Sequence, residues 1–372
     1  MILQVVIAVL TGFIRIGLSA LYLMVLWIRR TILLVCTPAL RSQLNHSLQT
    51  ADVSRLLGHW SNNLLDTDKV LQSFFNGCAA AGPDGCAFYA ATPEAVAQKL
   101  DDVIAAIKLN PVPVRTGVSY GLLDYKRLLN AIFRTFYSPY ATFPTLAQGL
   151  ADLAEGNGTV LYQMFESPFF ECACNATVDT TLISDGQDAV MCTDGNLNRL
   201  TVQESREHYE NLLKTSRWGE LWAGIRVRCA NWPEQPKRHF QGPFVGNTSH
   251  PVLWVGNTAD PVTPLAFAHK MAKGFPGSAV LTQDSPGHCS ISGPSICTQK
   301  YIRSYFLNGT LPPPGVVCPA VSEPLPPRSR NQGQDDAQAV LARDLTEEDA
   351  SILNAVQELI RSPIVSPLGR GF

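Results

Sequence analysis

The sequence has 372 residues, a formal net charge of −2, 46% hydrophobic residues and 16% charged residues. A chain of this length and hydrophobicity can form one large domain or two smaller ones. Its longest run of Lys or Arg is two residues, so nucleic acid is not an expected partner.

Cysteines and glycosylation sequons indicate the compartment. The chain has ten cysteines and carries Asn-x-Ser/Thr sequons at Asn45, Asn157, Asn175, Asn247 and Asn308. Together they favour the secretory pathway and disulfide bonds, and predict a membrane-bound or secreted protein. No histidine accompanies the nearby pair Cys78 and Cys86, so we expect a disulfide there, and neither a metal site nor a cofactor.

The N-terminal segment is almost wholly apolar. Leu3–Ile28 contains a single charge, Arg15, and is long enough to span a bilayer core of about 30 Å. A membrane anchor is the favoured interpretation; a signal peptide or a misassigned protein start is the alternative. Arg29 and Arg30 follow the segment and would place the remainder in the cytoplasm, against the cysteines and sequons, so the orientation stays open.

A long helical region follows. Apolar spacing and capping residues predict helices over Pro93–Lys108, Leu122–Tyr137, Pro144–Glu155 and Val202–Lys214. No alternating strand pattern is evident between residues 90 and 225. The sequence therefore predicts an all-helical module in front of a different kind of domain.

That second domain is a strand–helix–strand unit. Val252–Val255 and Ala279–Thr282 have the pattern of buried strands, with a helix over Leu265–Lys273 between them. Asp260 follows the first strand and His288 follows the second. In a parallel sheet both positions lie at the same edge, and α/β-hydrolases place the acid and the histidine of their catalytic triad in this order.

The nucleophile of such a triad is harder to find. One match to G-x-S-x-G exists, at Gly117–Gly121, with Ser119 at its centre. The order Ser119, Asp260, His288 is correct, but Pro111 and Pro113 precede the match and do not suit the central strand that the nucleophile elbow requires. Ser119 is a candidate nucleophile; a serine in a lid loop is the alternative.

The expected organisation is an α/β protein with an incomplete α/β-hydrolase core, a large all-helical lid and an N-terminal hydrophobic helix. Beyond residue 318, a proline-rich polar linker leads to a helix with Ile352, Val356, Leu359 and Ile360 on one face. The predicted segments are an anchor (1–36), a linker (37–59), a helical lid (60–230), an α/β segment (231–318) and a linker with a short helix (319–372).

A family resemblance extends from Trp60 to Cys318. Its most specific motifs are Asn257-Thr-Ala-Asp-Pro-Val-Thr-Pro264, Gly287-His-Cys-Ser290, Trp60-Ser-Asn-Asn-Leu-Leu-Asp-Thr-Asp68 and Tyr137-Ser-Pro139. In these motifs the chain resembles the tripeptidyl-aminopeptidase-like (TAP-like) α/β-hydrolases of peptidase family S33. The resemblance implies a serine hydrolase that releases short peptides from substrate N-termini, with Asp260 as the triad acid and His288 as the general base. It also implies that the serine elbow and oxyanion loop should precede Trp60, where residues 1–59 contain no G-x-S-x-G motif.

Three interpretations follow. The chain is a serine exopeptidase whose nucleophile half is missing from an N-terminally truncated sequence, or a catalytically inactive membrane-anchored relative that binds a partner or peptide, or an enzyme that uses Ser119. The expected partners are a peptide or small acyl substrate and, through residues 1–36, a membrane. The oligomeric state stays open.

Overall fold

The structure is a computed structural model. It describes residues 61–164, 188–189, 192–193, 199–233, 245–326 and 345–361. The predicted anchor (1–36) and linker (37–59) lie outside the described residues. Within those ranges, no helix combines the length and the apolar character that crossing a bilayer requires.

A helical region forms the first part of the described chain. A 3-10 turn over Ser61–Leu64 precedes helices α1 to α7. In chain order these are Thr67–Gly85, Pro93–Leu109, Tyr125–Thr135, Pro139–Ala154, Thr159–Gln163, Val202–Thr215 and Gly219–Arg228. The Thr92 side chain caps α2, and Thr201 forms a capping box with Glu204 at the start of α6, as their sequences predict.

The prediction that this region is all-helical is wrong. Strands β1 (Val112–Arg115) and β2 (Tyr120–Leu123) form an antiparallel hairpin between α2 and α3. Both strands of an isolated hairpin are edge strands, which tolerate prolines such as Pro113. The helix predicted from Leu122 therefore begins later, at Tyr125, where the Asp124 side chain accepts a hydrogen bond from the Arg127 N–H.

The α/β part follows the predicted order. Strand β3 (Leu253–Ala259), helix α8 (Leu265–Ala272) and strand β4 (Ala279–Pro286) form a parallel unit. Helix α9 (Ile296–Asn308) leads to a third parallel strand, β5 (Val317–Pro319), which the sequence analysis missed. At three residues, β5 is too short for a periodicity to be detected.

Apolar side chains cover both faces of β3. Leu253 and Val255 pack with Leu281 and Tyr305 on one face, whereas Trp254 packs with Met271 of α8 on the other. Burial on both faces is typical of parallel sheets with helices on either side. A larger core fills the helical region and reaches the sheet through Ala259 and Val262.

Disulfides join neighbouring elements. The predicted Cys78–Cys86 bond is confirmed, and it closes the end of α1 where Gly82 interrupts the helix. Cys192 bonds to Cys229, and Cys297 of α9 bonds to Cys318 of β5. Cys172 and Cys174 lie outside the described residues.

The C-terminal helix α10 (Glu347–Arg361) packs against α9, α4 and the 3-10 turn Ser290–Ser292. Its buried residues are Leu353, Val356 and Ile360. Of the four residues predicted to share this face, Val356 and Ile360 are buried, whereas Ile352 and Leu359 are half-buried. Ion pairs from α9 to the first turn of α10, including Lys300 to Asp349, flank this contact.

Candidate active site

Asp260 lies in the loop directly after β3 and is fully buried. Its Oδ1 accepts hydrogen bonds from the backbone N–H groups of Val262 (3.0 Å) and Thr263 (2.7 Å). Its Oδ2 accepts a further one from the Cys289 N–H at 3.1 Å. A buried carboxylate with this many donors is held in one orientation, and its charged form is stabilised.

The helical region supports the loop that carries this acid. The Asn63 side-chain amide donates to the Val262 carbonyl oxygen at 2.9 Å. The Thr67 hydroxyl, in the first turn of α1, donates to the Pro261 carbonyl oxygen at 2.6 Å. Two backbone carbonyls next to Asp260 are thus bonded to residues almost 200 positions earlier in the chain.

His288 faces Asp260 from the loop after β4. Its Nδ1 lies 3.1 Å from each carboxylate oxygen of Asp260 and 3.3 Å from the Thr263 hydroxyl. In the neutral imidazole, a carboxylate partner at Nδ1 favours the tautomer with the proton on that nitrogen. Nε2 is then unprotonated and can act as a general base.

Tyr137 contacts the histidine from the helical region. Its ring lies edge to face against the imidazole of His288, with the centroids 5.3 Å apart. Burial, and secondarily the charge of Asp260, raises the pKa of the Tyr137 phenol far above its usual value, so this side chain stays neutral. It contributes an apolar wall beside the histidine rather than a second ionising group.

The structure places Ser119 in the connection of the β1–β2 hairpin. The Ser119 carbonyl accepts from the Thr116 N–H at 2.8 Å, and the Ser119 N–H donates to the Thr116 hydroxyl at 3.0 Å. The hairpin packs against α5. This local structure differs from the strand–turn–helix elbow that presents the serine in α/β-hydrolases.

The structure therefore brings Asp260 and His288 into direct contact and places Ser119 in a turn of the helical region. Tyr137, Thr263 and Asn257 also contact this pair or its loops, although the sequence analysis gave them no role. All three lie within the motifs that carry the family resemblance, and this was the sequence signal that could have identified them. Among the described residues, no cluster of three or more His, Cys, Asp or Glu side chains could hold a metal ion.

An acid and a histidine after adjacent parallel strands, in contact through Nδ1, have the arrangement that the acid and the histidine take in α/β-hydrolase triads. Residues 214–318 match the family model described as TAP-like protein. This segment of the chain is similar to the TAP-like α/β-hydrolases.

Curated relatives are hydrolases and peptidases. Serine protease Hip1 of Mycobacterium tuberculosis is 24% identical over 209 residues, which cover 55% of this chain and 39% of that protein. Tripeptidyl aminopeptidase of Streptomyces lividans is 27% identical over 143 residues, covering 37% of this chain and 26% of that protein. Carboxylesterase B of Mycobacterium tuberculosis is 31% identical over 93 residues, covering 25% and 18%. The chain thus spans well under half the length of the relatives that it matches.

Proposed function

We propose that this chain supplies the acid and the general base of a serine hydrolase that acts on peptide or small acyl substrates. The observation that carries the proposal is the buried contact between His288 Nδ1 and both carboxylate oxygens of Asp260. Because Nδ1 is bonded to the carboxylate, Nε2 is the ring nitrogen that exchanges a proton with a reacting group.

In the proposed reaction, His288 Nε2 takes the proton of a serine hydroxyl as the oxygen attacks the substrate carbonyl. Asp260 stabilises the imidazolium that forms, and His288 then gives the proton to the leaving group. Water hydrolyses the acyl-enzyme with the same base. Removal of the histidine from such a unit costs most of the catalysed rate.

The substrate class rests on the relatives. They include a serine protease, a tripeptidyl aminopeptidase and a carboxylesterase, and enzymes of these classes cleave an amide or ester bond at its carbonyl carbon. A peptide with a free N-terminus is the first substrate to test, and an ester is the second. The helical region, which contacts both catalytic loops through Asn63, Thr67 and Tyr137, would serve as the lid. The disulfides support maturation in an oxidising compartment.

A fluorophosphonate probe, which modifies activated serines, tests the proposal on the full chain. If a serine of this chain is the nucleophile, the purified protein is labelled, His288→Gln loses the label, and the matched variant His269→Gln, whose histidine is exposed on α8, is labelled like wild type. Mass spectrometry of the adduct then identifies the nucleophile.

The outcomes separate the alternatives. An adduct on Ser119, absent from Ser119→Ala, would assign that serine, and an adduct elsewhere would exclude it. A folded wild-type protein that is not labelled would exclude every serine of this chain as an activated nucleophile and would overturn the proposal that the chain acts as a hydrolase by itself. An inactive relative that binds a peptide or partner would then be one of the two remaining interpretations.

A further inference from the structure

Asn257 lies near the end of β3 and is almost fully buried. Its side-chain Nδ2 donates to the carbonyl oxygens of Gly287 (2.8 Å) and Cys289 (2.9 Å) and lies 3.2 Å from the hydroxyl of Ser292. The first two acceptors are the residues on either side of His288. One amide group therefore bonds to the backbone on both sides of the proposed general base.

The loop needs such a tether because its backbone is unusual. Gly287 has a φ of 115° and Cys289 a φ of 69°, and a non-glycine residue at positive φ is strained. The N–H groups of this loop are held by other partners: Gly287 donates to Ala259 and His288 donates to Tyr137. The carbonyl of Gly287 is held by Asn257, and that of Cys289 by Asn257 together with the hydroxyl and the N–H of Ser292.

The chemistry of the side chain matches this role. All three of its partners accept hydrogen bonds, so only a donor suits the position, and an amide NH₂ offers two hydrogens on one atom. The Oδ1 of Asn257 has no hydrogen-bond partner among the described residues. The structure therefore uses only the donor half of the amide.

We infer that Asn257 is a positioning residue, which holds the loop so that His288 Nδ1 faces Asp260. This inference rests on the proposed function only for its effect on rate; its effect on the imidazole does not depend on activity. A residue that merely stabilised the sheet would leave the state of the imidazole unchanged.

The test replaces Asn257 with Leu, which is similar in size and lacks the donor. Gln283→Met is the matched control: Gln283 lies opposite Asn257 in register on β4, is fully buried, and donates to Ser285. The readout is the ¹⁵N chemical shifts of the His288 ring in the full chain, at a pH where the ring is neutral. The His288→Gln variant assigns the signals, and thermal melting monitors the fold.

We expect wild type and Gln283→Met to share the Nδ1–H tautomer, and Asn257→Leu to shift toward the Nε2–H tautomer. If the protein is labelled by the fluorophosphonate, the labelling rate of Asn257→Leu should fall by about tenfold or more. Should this variant not fold, Asn257→Ala removes the same donor and leaves room for water.

Each result decides the matter. Unchanged ring shifts in a folded Asn257 variant, or the same change in Gln283→Met, would overturn the inference. If both Asn257 variants are unfolded, the residue maintains the fold and is not a positioning residue. A tautomer shift in a protein that is never labelled would support the inference while the hydrolase proposal fails.

Discussion

The backbone N–H of His288 donates to the carbonyl oxygen of Tyr137 at 3.0 Å, and the two rings pack edge to face. Tyr137, which lies between α3 and α4, is thus bonded to the loop that follows β4. Because the contact joins the helical region to the sheet, changes on the helical side should be measurable at the histidine.

Replacement of Tyr137 by Ala should lower both stability and labelling by the probe. The buried ring fills space beside His288, and the loss of a large buried aromatic side chain costs about 3–5 kcal/mol. Tyr137→Phe keeps the ring and should stay within about 1 kcal/mol of wild type. Urea unfolding of the three proteins checks this, and equal stability of the Ala and Phe variants would contradict it.

Gly287→Ala should disrupt the histidine loop. A Cβ at this position would lie 2.5 Å from the Ser292 hydroxyl and 2.8 Å from Pro139 Cδ, at a φ of 115°. Backbone strain and overpacking together predict a loss of about 3 kcal/mol. The control is Gly309→Ala, which also has positive φ but has no atom within 4 Å, and should cost about 1 kcal/mol. Thermal unfolding with similar losses in both variants would argue against a close-packed loop.

The Cys297–Cys318 bond should hold β5 in the sheet. It spans 21 residues, and its removal by the double change to Ala should cost about 2–4 kcal/mol. Hydrogen exchange should quicken at the Thr282 amide, which donates to the Val316 carbonyl beside β5. The double Ala variant of Cys78 and Cys86, whose bond spans 8 residues within the helical region, is the comparison. Equal exchange at Thr282 in both double variants would show that the disulfide does not hold β5.

Tyr125 should make the fold sensitive to alkaline pH. Burial, the hydrogen bond to Glu220 and the charge of Glu220 raise the pKa of the Tyr125 phenol to about 12, above about 10 in an unfolded chain. The unfolded state therefore loses this proton first, so the stability that Tyr125 provides is present below pH 10 and declines as the pH rises toward 12.

Tyr125→Phe should consequently be less stable than wild type at pH 8, by about 1 kcal/mol, and the difference should shrink near pH 12. Urea unfolding across this range measures it. Tyr120→Phe, which changes a tyrosine that is 76% exposed, should show no such convergence. A constant gap between wild type and Tyr125→Phe would mean that the phenol does not titrate differently in the folded state.

The sequence predicts that Asp260 and His288 lie at the same edge of the sheet, because each follows a short apolar run with the pattern of a buried strand, and the structure places them there. It missed the β1–β2 hairpin, since the prolines that weaken a central strand are harmless in a two-stranded ribbon. The same prolines precede the G-x-S-x-G match, whose residues form the turn of this hairpin and the start of β2. Glycine is required at position 121 for packing, because a Cβ there would lie 2.7 Å from the Tyr162 hydroxyl.

The contacts of Asp260 and His288 with other parts of the chain could not be predicted in this way. Tyr137 and Asn257 contact the histidine or its loop through tertiary geometry, and a pattern of neighbouring residues does not encode such distances. The motifs that contain them, Tyr137-Ser-Pro139 and Asn257–Pro264, marked their positions but not their roles. The order of strands, helix and loops was predictable from the sequence, whereas the contacts of Tyr137 and Asn257 with the histidine loop were not.

The hydrogen bonds from Asn63 and Thr67 to the loop of Asp260 join residues 199 and 194 positions apart. Contacts between residues so far apart in the chain form late in folding, because closing the intervening loop costs conformational entropy. Because these hydrogen bonds cross from the helical region to the loop after β3, the surroundings of the acid are complete only when both parts have folded. A chemical probe of this site would therefore report completed folding of the two regions together.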